Sequence, residues 1–299
     1  MTDTDRLLEI DNLSPDRLHA ILDHAAALEE ETTGAELPRK TLTMLFEKPS
    51  TRTRTSFETG MTQLGGHAVF LGPDDVGIGG REPVRDIARA LSRYGDAIML
   101  RLYSHADAET IAEYADIPVV NGLTDRAHPC QALADLLTVR ETFDGFDATV
   151  AWVGDGNNVA RSFAVGAAMV GLDVQVATPP EYGLGDDVLD RVTGYEGSVE
   201  TVTDPVTAVT DADAVYTDVW VSMGEADERA EKLAAFENGY QVNEELLSHA
   251  PGARLLHCLP AHRGEEVTDA AVESERSLVW RQAENRLHAQ KGLLVELLD

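Results

Sequence analysis

The chain has 299 residues, 43% of them hydrophobic and 26% charged, which suffices for about two domains with substantial cores. Its 53 acidic residues against 24 Lys and Arg leave a formal net charge of −29, which repels a phosphate backbone and argues against nucleic-acid binding. No apolar run approaches the roughly 20 residues that span a bilayer, and the acidic start Met1-Thr2-Asp3-Thr4-Asp5 is unlike a signal or transit peptide.

Ser14-Pro15 reads as an N-cap followed by proline at the first helical position, and Leu18, Ile21, Leu22, Ala25 and Leu28 recur at helical spacing. Thr41 to Phe46 is a short apolar run expected to form a buried strand closed by Pro49. Ser50 then caps a helix predicted over Thr51 to Leu64 and ended by Gly65-Gly66. His67 to Leu71 is a predicted strand. Four glycines make 72–81 a predicted mobile loop, and 83–94 a helix stopped by Gly95. Strands at 97–100 and 118–120 flank a helix over 106–115, and His128-Pro129 opens a helix that runs to Phe143. A second series of strands is predicted at 148–153, 173–177, 199–202, 214–217 and 254–256, with helices between them, before a final helix over 281–298. This alternation predicts an α/β protein of two domains, each a parallel sheet flanked by helices, with ligands at the carboxyl ends of strands. The expected domains are 1–143, with 281–299 packing back on it, and 144–280.

The chemically informative residues cluster just after strands. Around Ser50, Thr51, Arg52 and Thr53 a helix N-terminus emerges from a strand end with three hydroxyls and a guanidinium, an arrangement that favours a phosphate. Cations crowding the positive end of a helix disfavour the bare helix, which makes sense beside a dianion. Arg101 leaves the strand at 97–100; a charge there is otherwise only its solvent exit. His128-Pro129-Cys130-Gln131 stands at a helix start, which lowers a histidine's pKa and predicts a neutral imidazole; a capping or core histidine is the alternative. Gly154-Asp155-Gly156-Asn157-Asn158 invites a nicotinamide-dinucleotide reading, but Val159 stands where the third glycine belongs, and an Asn amide binding a small polar ligand is the other reading. Asp218 and Ser222, in Asp218-Val219-Trp220-Val221-Ser222-Met223-Gly224, suit an ammonium group or a simple turn. Cys258, in His257-Cys258-Leu259-Pro260, is a nucleophile, a proton-relay group or a small buried hydrophobe. Arg286 lies in the last helix.

Together these stretches resemble the aspartate/ornithine carbamoyltransferase superfamily, and within it the branch that accepts ornithine. Ser50 to Thr53 and His128 to Gln131 are similar to its carbamoyl-phosphate motifs; Asp218 with Ser222-Met223-Gly224, and His257 to Pro260, are similar to those of the ornithine branch. The resemblance runs through nearly the whole chain in the family's order. It implies transfer of a carbamoyl group from carbamoyl phosphate to the δ-amine of L-ornithine, giving L-citrulline and phosphate in arginine metabolism, with no metal and no organic cofactor. It implies that Ser50, Thr51, Arg52, Thr53 and Arg101 hold the phosphate. Arg101, His128 and Thr53 polarise the carbonyl, Gln131 binds the carbamoyl nitrogen, and Arg286 reaches the site. Asn158, Asp218, Ser222 and Met223 fix the α-amino acid end, and Cys258 and the Leu259 backbone face the δ-amine. The family's counterpart of loop 72–81 often brings Gln or His from a neighbouring subunit. Gly77 stands here, with Arg81 or a backbone N–H as substitute. Trimers or assemblies of trimers are implied as well.

The rivals are a related carbamoyltransferase with another amine acceptor, a nicotinamide-dependent oxidoreductase, and a non-catalytic sensor that keeps the pocket. Asp218 disfavours aspartate as acceptor because it repels a second carboxylate. Cys130 and Cys258 lie far apart and outside any C-x-x-C, which argues against a disulfide scaffold or structural zinc and fits a reducing cytoplasm. The acidic balance, with only four lysines, predicts self-repulsion that salt near 1 M screens by shortening the Debye length to about 3 Å, hence a salt-adapted protein.

Overall fold

A computed structural model describes residues 6–78, 82–222, 224 and 226–299. The acidic start of the chain, Arg81 and Met223, all singled out above, lie outside them. The chain divides into two compact units, residues 1–137 with 284–299, and residues 138–283. Among the described residues no helix is long and apolar enough to cross a membrane.

In chain order, unit 1 contains β1 (Arg6–Leu7), α1 (Pro15–Glu30), β2 (Thr41–Phe46), α2 (Thr51–Gln63), β3 (His67–Leu71), α3 (Pro73–Val76), α4 (Val84–Leu91), β4 (Ala97–Arg101), α5 (His105–Tyr114), β5 (Val119–Leu123) and the start of α6 (Pro129–Phe143). Its sheet has the order β1-β5-β4-β2-β3, all parallel. Helices on both faces require strands without a polar side, and β4 is buried at every residue. From β2 the chain steps out to β3, then returns past β2 to β4. The winding therefore reverses between β2 and β4, which is the position where such sheets take a ligand, beyond the strands' carboxyl ends. Those ends deliver Ser50 to Thr53 on one side and Arg101 on the other.

Local chemistry explains the boundaries. The Ser14 and Ser50 hydroxyls accept from Arg17 N–H and Thr53 N–H and cap α1 and α2. Gly65, with φ of 82°, ends α2, and a side chain on Gly66 would stand 2.5 Å from the Met61 methyl. The loop expected over 72–81 is partly helical: Asp75 accepts from Gly72 N–H at 2.7 Å and closes α3, and Gly77 follows in the left-handed region. Residues 284–299 of the last helix belong to this unit, where Lys291 Nζ donates to Leu28 O and Thr32 Oγ1 at the end of α1.

Unit 2 contains the rest of α6, then β6 (Thr149–Val153), α7 (Asn158–Met169), β7 (Asp173–Ala177), α8 (Asp186–Val192), β8 (Val199–Val202), α9 (Pro205–Val209), β9 (Ala214–Thr217), α10 (Arg229–Phe236), α11 (Glu244–Ser248), β10 (Arg254–His257), α12 (Asp269–Val272) and the start of α13 (Val279–Leu298). Its parallel sheet has the order β10-β9-β6-β7-β8. The winding reverses between β6 and β9, so the crevice position lies beyond Val153 and Thr217. Trp152 and Tyr216, side by side at 4.6 Å, fill the core beneath it.

Candidate active site

In unit 1 the site is built on the α2 N-terminus. Thr53, 1% exposed, lies one turn into that helix. Its hydroxyl oxygen accepts from Arg101 Nη1 at 3.4 Å and from Arg286 Nη2 at 2.8 Å. A hydroxyl that accepts two hydrogen bonds has one donor left, so the pair of guanidiniums turns Thr53 into a donor facing away from both. Arg286 also donates through Nη1 to Gln131 Oε1 at 2.6 Å, and Gln131 Nε2 donates to Asp135 at 2.8 Å. Gln131 is thus locked at both ends, with Oε1 retaining one acceptor position. Arg52 is half-buried, Ser50 is half-buried and Thr51 is exposed, all on the first turn of α2 or at its cap.

His128 is buried beside this group. Burial, then the charges of Arg286, Arg101 and Lys48, hold its imidazole well below the usual histidine range, so it is neutral at pH 7. The largest cause is burial, which the position of His128 at a helix start does not reveal. Lys48 is itself buried, with its ammonium 4.5 Å from the Tyr103 ring centre. Three buried cations gathered near one helix N-terminus repel one another, and a dianion bound among them offsets that repulsion. Cys130, two residues after His128, is inert: burial pushes its thiol up to about 12, and Sγ donates to Asn121 O.

In unit 2 the carboxyl ends of β6, β9 and β10 bring together Asn157, Asp218 and Cys258. Asp218 Oδ2 accepts from Asn157 Nδ2 at 2.9 Å, and Oδ1 accepts from Cys258 Sγ–H at 3.0 Å. Asn157 caps α7, its Oδ1 accepting from Val159 and Ala160 N–H, so its amide nitrogen is turned to Asp218. Asn158, the residue singled out from sequence, is the first helical residue and half-buried. Ser222 is half-buried beyond β9. Leu259 has φ of 60°, and its N–H donates to His257 Nδ1, which leaves its carbonyl as the group it offers. Asp218, His257 and Cys258 place ligand-type atoms within 4.8 Å of one another, as a cation site requires. Both His257 nitrogens already serve Leu259 and Glu266, and Cys258 and Asp218 serve each other.

Residues 6–141 match the family described as "Aspartate/ornithine carbamoyltransferase, carbamoyl-P binding domain", and residues 147–297 match "Aspartate/ornithine carbamoyltransferase, Asp/Orn binding domain". The ornithine carbamoyltransferase of Haloquadratum walsbyi is 62% identical over 301 residues, covering 100% of this chain and 99% of that protein. The solved ornithine carbamoyltransferase of Pyrococcus furiosus superposes with a TM-score of 0.94 at 45% identity, covering 100% of this chain and 98% of that one. That of Thermus thermophilus gives 0.90 at 48%, covering 99% of each. The chain belongs to the aspartate/ornithine carbamoyltransferase family.

Membership in this carbamoyltransferase family leaves the Gly-Asp-Gly turn to be explained. A side chain on Gly156 would stand 2.6 Å from the Gly183 backbone, and Gly156 N–H donates to Tyr182 O at 2.8 Å. The glycine is there so that the chain's own 180–183 turn can pack against it. The nicotinamide reading fails on that contact. Lys48, Asn157, His257, Glu266 and the Asp155–Lys232 pair were not assigned roles from sequence. For Asn157 the signal was present: Asn at the last position before a helix is a preferred N-cap. Lys48 and the Asp155–Lys232 pair act through partners distant in the chain, and His257 and Glu266 through a fold of the 257–266 segment that no periodicity announces.

Proposed function

We propose that the chain transfers the carbamoyl group of carbamoyl phosphate to the δ-amine of L-ornithine, giving L-citrulline and phosphate. The observation that carries the choice of acceptor is Asp218. Its buried carboxylate, shaped by Asn157 and Cys258, attracts an ammonium and repels the second carboxylate of aspartate. The full-length relatives named ornithine carbamoyltransferase support the same choice.

On this reading the α2 N-terminus, with Ser50, Thr51, Arg52, Thr53 and Arg101, holds the phosphate, assisted by Arg286. The Thr53 hydroxyl, Arg101 and neutral His128 donate to the carbonyl oxygen, and they strengthen their hold as it becomes a tetrahedral oxyanion. Gln131 Oε1 accepts from the carbamoyl nitrogen. Asn158, Asp218, Ser222 and Met223 hold the α-amino and α-carboxylate groups, and Cys258 and the Leu259 carbonyl face the δ-amine. An amine of pKa near 10.4 is neutral in only about one molecule in two thousand at pH 7, a deficit of roughly 4.6 kcal/mol. Desolvation beside Cys258 and Leu259 lowers that pKa, and Cys258 or Asp218, joined to each other by a hydrogen bond, accepts the departing proton. The nitrogen–carbon bond forms, the carbon–oxygen bond to phosphate breaks, and phosphate departs into the cations that held it.

The same reading includes a trimer or an assembly of trimers, a cytoplasmic setting, and adaptation of the acidic surface to high salt. The test is citrulline formation by purified protein in 1 M KCl, with ornithine and aspartate compared. Citrulline from ornithine with no carbamoylaspartate is expected; turnover of aspartate but not ornithine rejects the assignment.

A further inference from the structure

Behind the Cys258–Leu259 segment lies a buried pair that the reaction described above does not use. His257 and Glu266 are both 0% exposed, and His257 Nε2 stands 3.0 Å from Glu266 Oε1. The same Oε1 accepts from His262 N–H at 2.6 Å. Because His257 Nδ1 accepts from Leu259 N–H at 2.9 Å, the ring proton sits on Nε2 and is donated to Glu266. Both backbones are held too: the His257 N–H donates to Gln282 Oε1 at 2.8 Å, and the Glu266 carbonyl accepts from Val242 N–H at 2.8 Å. The imidazole therefore has one orientation and one tautomer. What it grips is Leu259 in the left-handed region, which a leucine disfavours and which no glycine or asparagine is present to relieve.

We propose that Glu266 and His257 form a positioning relay: Glu266 orients the imidazole, and Nδ1 holds Leu259 left-handed, so that the Leu259 carbonyl and Cys258 thiol meet the amine acceptor. The relay deepens the proposed function and rests on it. Neither residue touches substrate; both act through Leu259.

Three variants test it. His257→Leu removes both hydrogen bonds. His257→Asn sets Oδ1 where Nδ1 stood, able to accept the N–H two residues on as in an Asx turn, but severs the link to Glu266. Glu266→Gln keeps an acceptor oxygen for His257. Citrulline formation is measured with each substrate varied, carbamoyl phosphate binding by calorimetry, and folding by thermal melting. His257→Leu is expected to lose about tenfold to a hundredfold in kcat, the factor that corresponds to a left-handed residue's backbone preference. Its affinity for carbamoyl phosphate stays unchanged. His257→Asn and Glu266→Gln are expected to retain kcat within about threefold, a rescue that lost packing alone does not produce. A folded His257→Leu with wild-type kcat overturns the relay, as does a folded His257→Asn impaired as severely as His257→Leu. If His257→Leu does not fold, His257→Asn decides alone: a loss beyond about tenfold with unaltered melting overturns the proposal. Absence of citrulline from the wild-type protein refutes the proposed function itself, and the relay falls with it.

Discussion

Lys232→Met is the most informative perturbation of the ornithine half. Lys232 Nζ lies 2.7 Å from Asp155 Oδ2, with the two side chains 6% and 8% exposed, and the ammonium is 5.6 Å from the Tyr182 ring centre. Asp155 opens the turn that continues into Gly156 and Asn157, so the pair ties α10 to the turn that shapes Asp218. Methionine keeps the length of the lysine stem but leaves Asp155 charged and buried. Breaking a buried pair from one side costs about 3–5 kcal/mol, whereas replacing both charges by apolar groups is close to neutral. At about 2–4 °C per kcal/mol for a chain this large, Lys232→Met lowers the melting temperature by roughly 6–20 °C. Lys232→Met/Asp155→Leu returns to within about 1 kcal/mol of wild type. Melting is followed by calorimetry in 1 M KCl, where exposed charges are screened and this pair is not. A single variant within about 1 kcal/mol of wild type, or a double variant no better than the single, refutes the reasoning.

Arg52→Ala is expected to abolish turnover and phosphate binding; normal activity in that variant contradicts the phosphate assignment. Asp218→Asn removes the charge that meets the ammonium, worth about 1.5–3 kcal/mol, so KM for ornithine rises about 10- to 150-fold while KM for carbamoyl phosphate stays put, as initial rates show. His128 has a folded pKa below its ordinary 6.5, so as pH falls below 6.5 the unfolded chain binds a proton that the folded chain refuses. Stability present above that pH is then lost, by at most about 1.4 kcal/mol per pH unit from this group. Urea denaturation from about pH 7 to 5 shows a shallower slope in His128→Asn, with His105, also lowered by burial, supplying part of the remainder. With a net charge of −29, dialysis from about 1 M salt to low salt is expected to lower both melting temperature and activity; no change in either refutes the salt adaptation.

Most strands were legible because a parallel sheet covered on both faces leaves uninterrupted apolar runs, as in Thr41 to Phe46. Helix starts were legible where one side chain closes the cap, as at Ser14 and Ser50. The short pieces were not. β1 is two residues long and pairs with β5 more than a hundred residues away, and α3 is a single turn within a glycine-rich stretch. The capped helix start at Ser50 to Thr53 could be read because a helix N-terminus and its hydroxyls are local. Arg286 could be placed only through the family resemblance, since nothing about a basic residue in a last helix points at Thr53.

The order of residues along the chain was enough to determine two parallel α/β sheets, a capped helix start at Ser50 to Thr53 of the kind that favours an anion, and candidate polar groups at strand ends. These follow from burial period, capping and dipoles, all of which act within a few residues. Only the tertiary structure decided which groups face which. It turned Thr53 into a donor by setting Arg101 and Arg286 on its oxygen, set the Asn157 amide on Asp218, and gave His257 its tautomer through Leu259 and Glu266. Hydrogen-bond direction and buried charge depend on neighbours brought together from distant parts of the chain, and no local pattern encodes those neighbours.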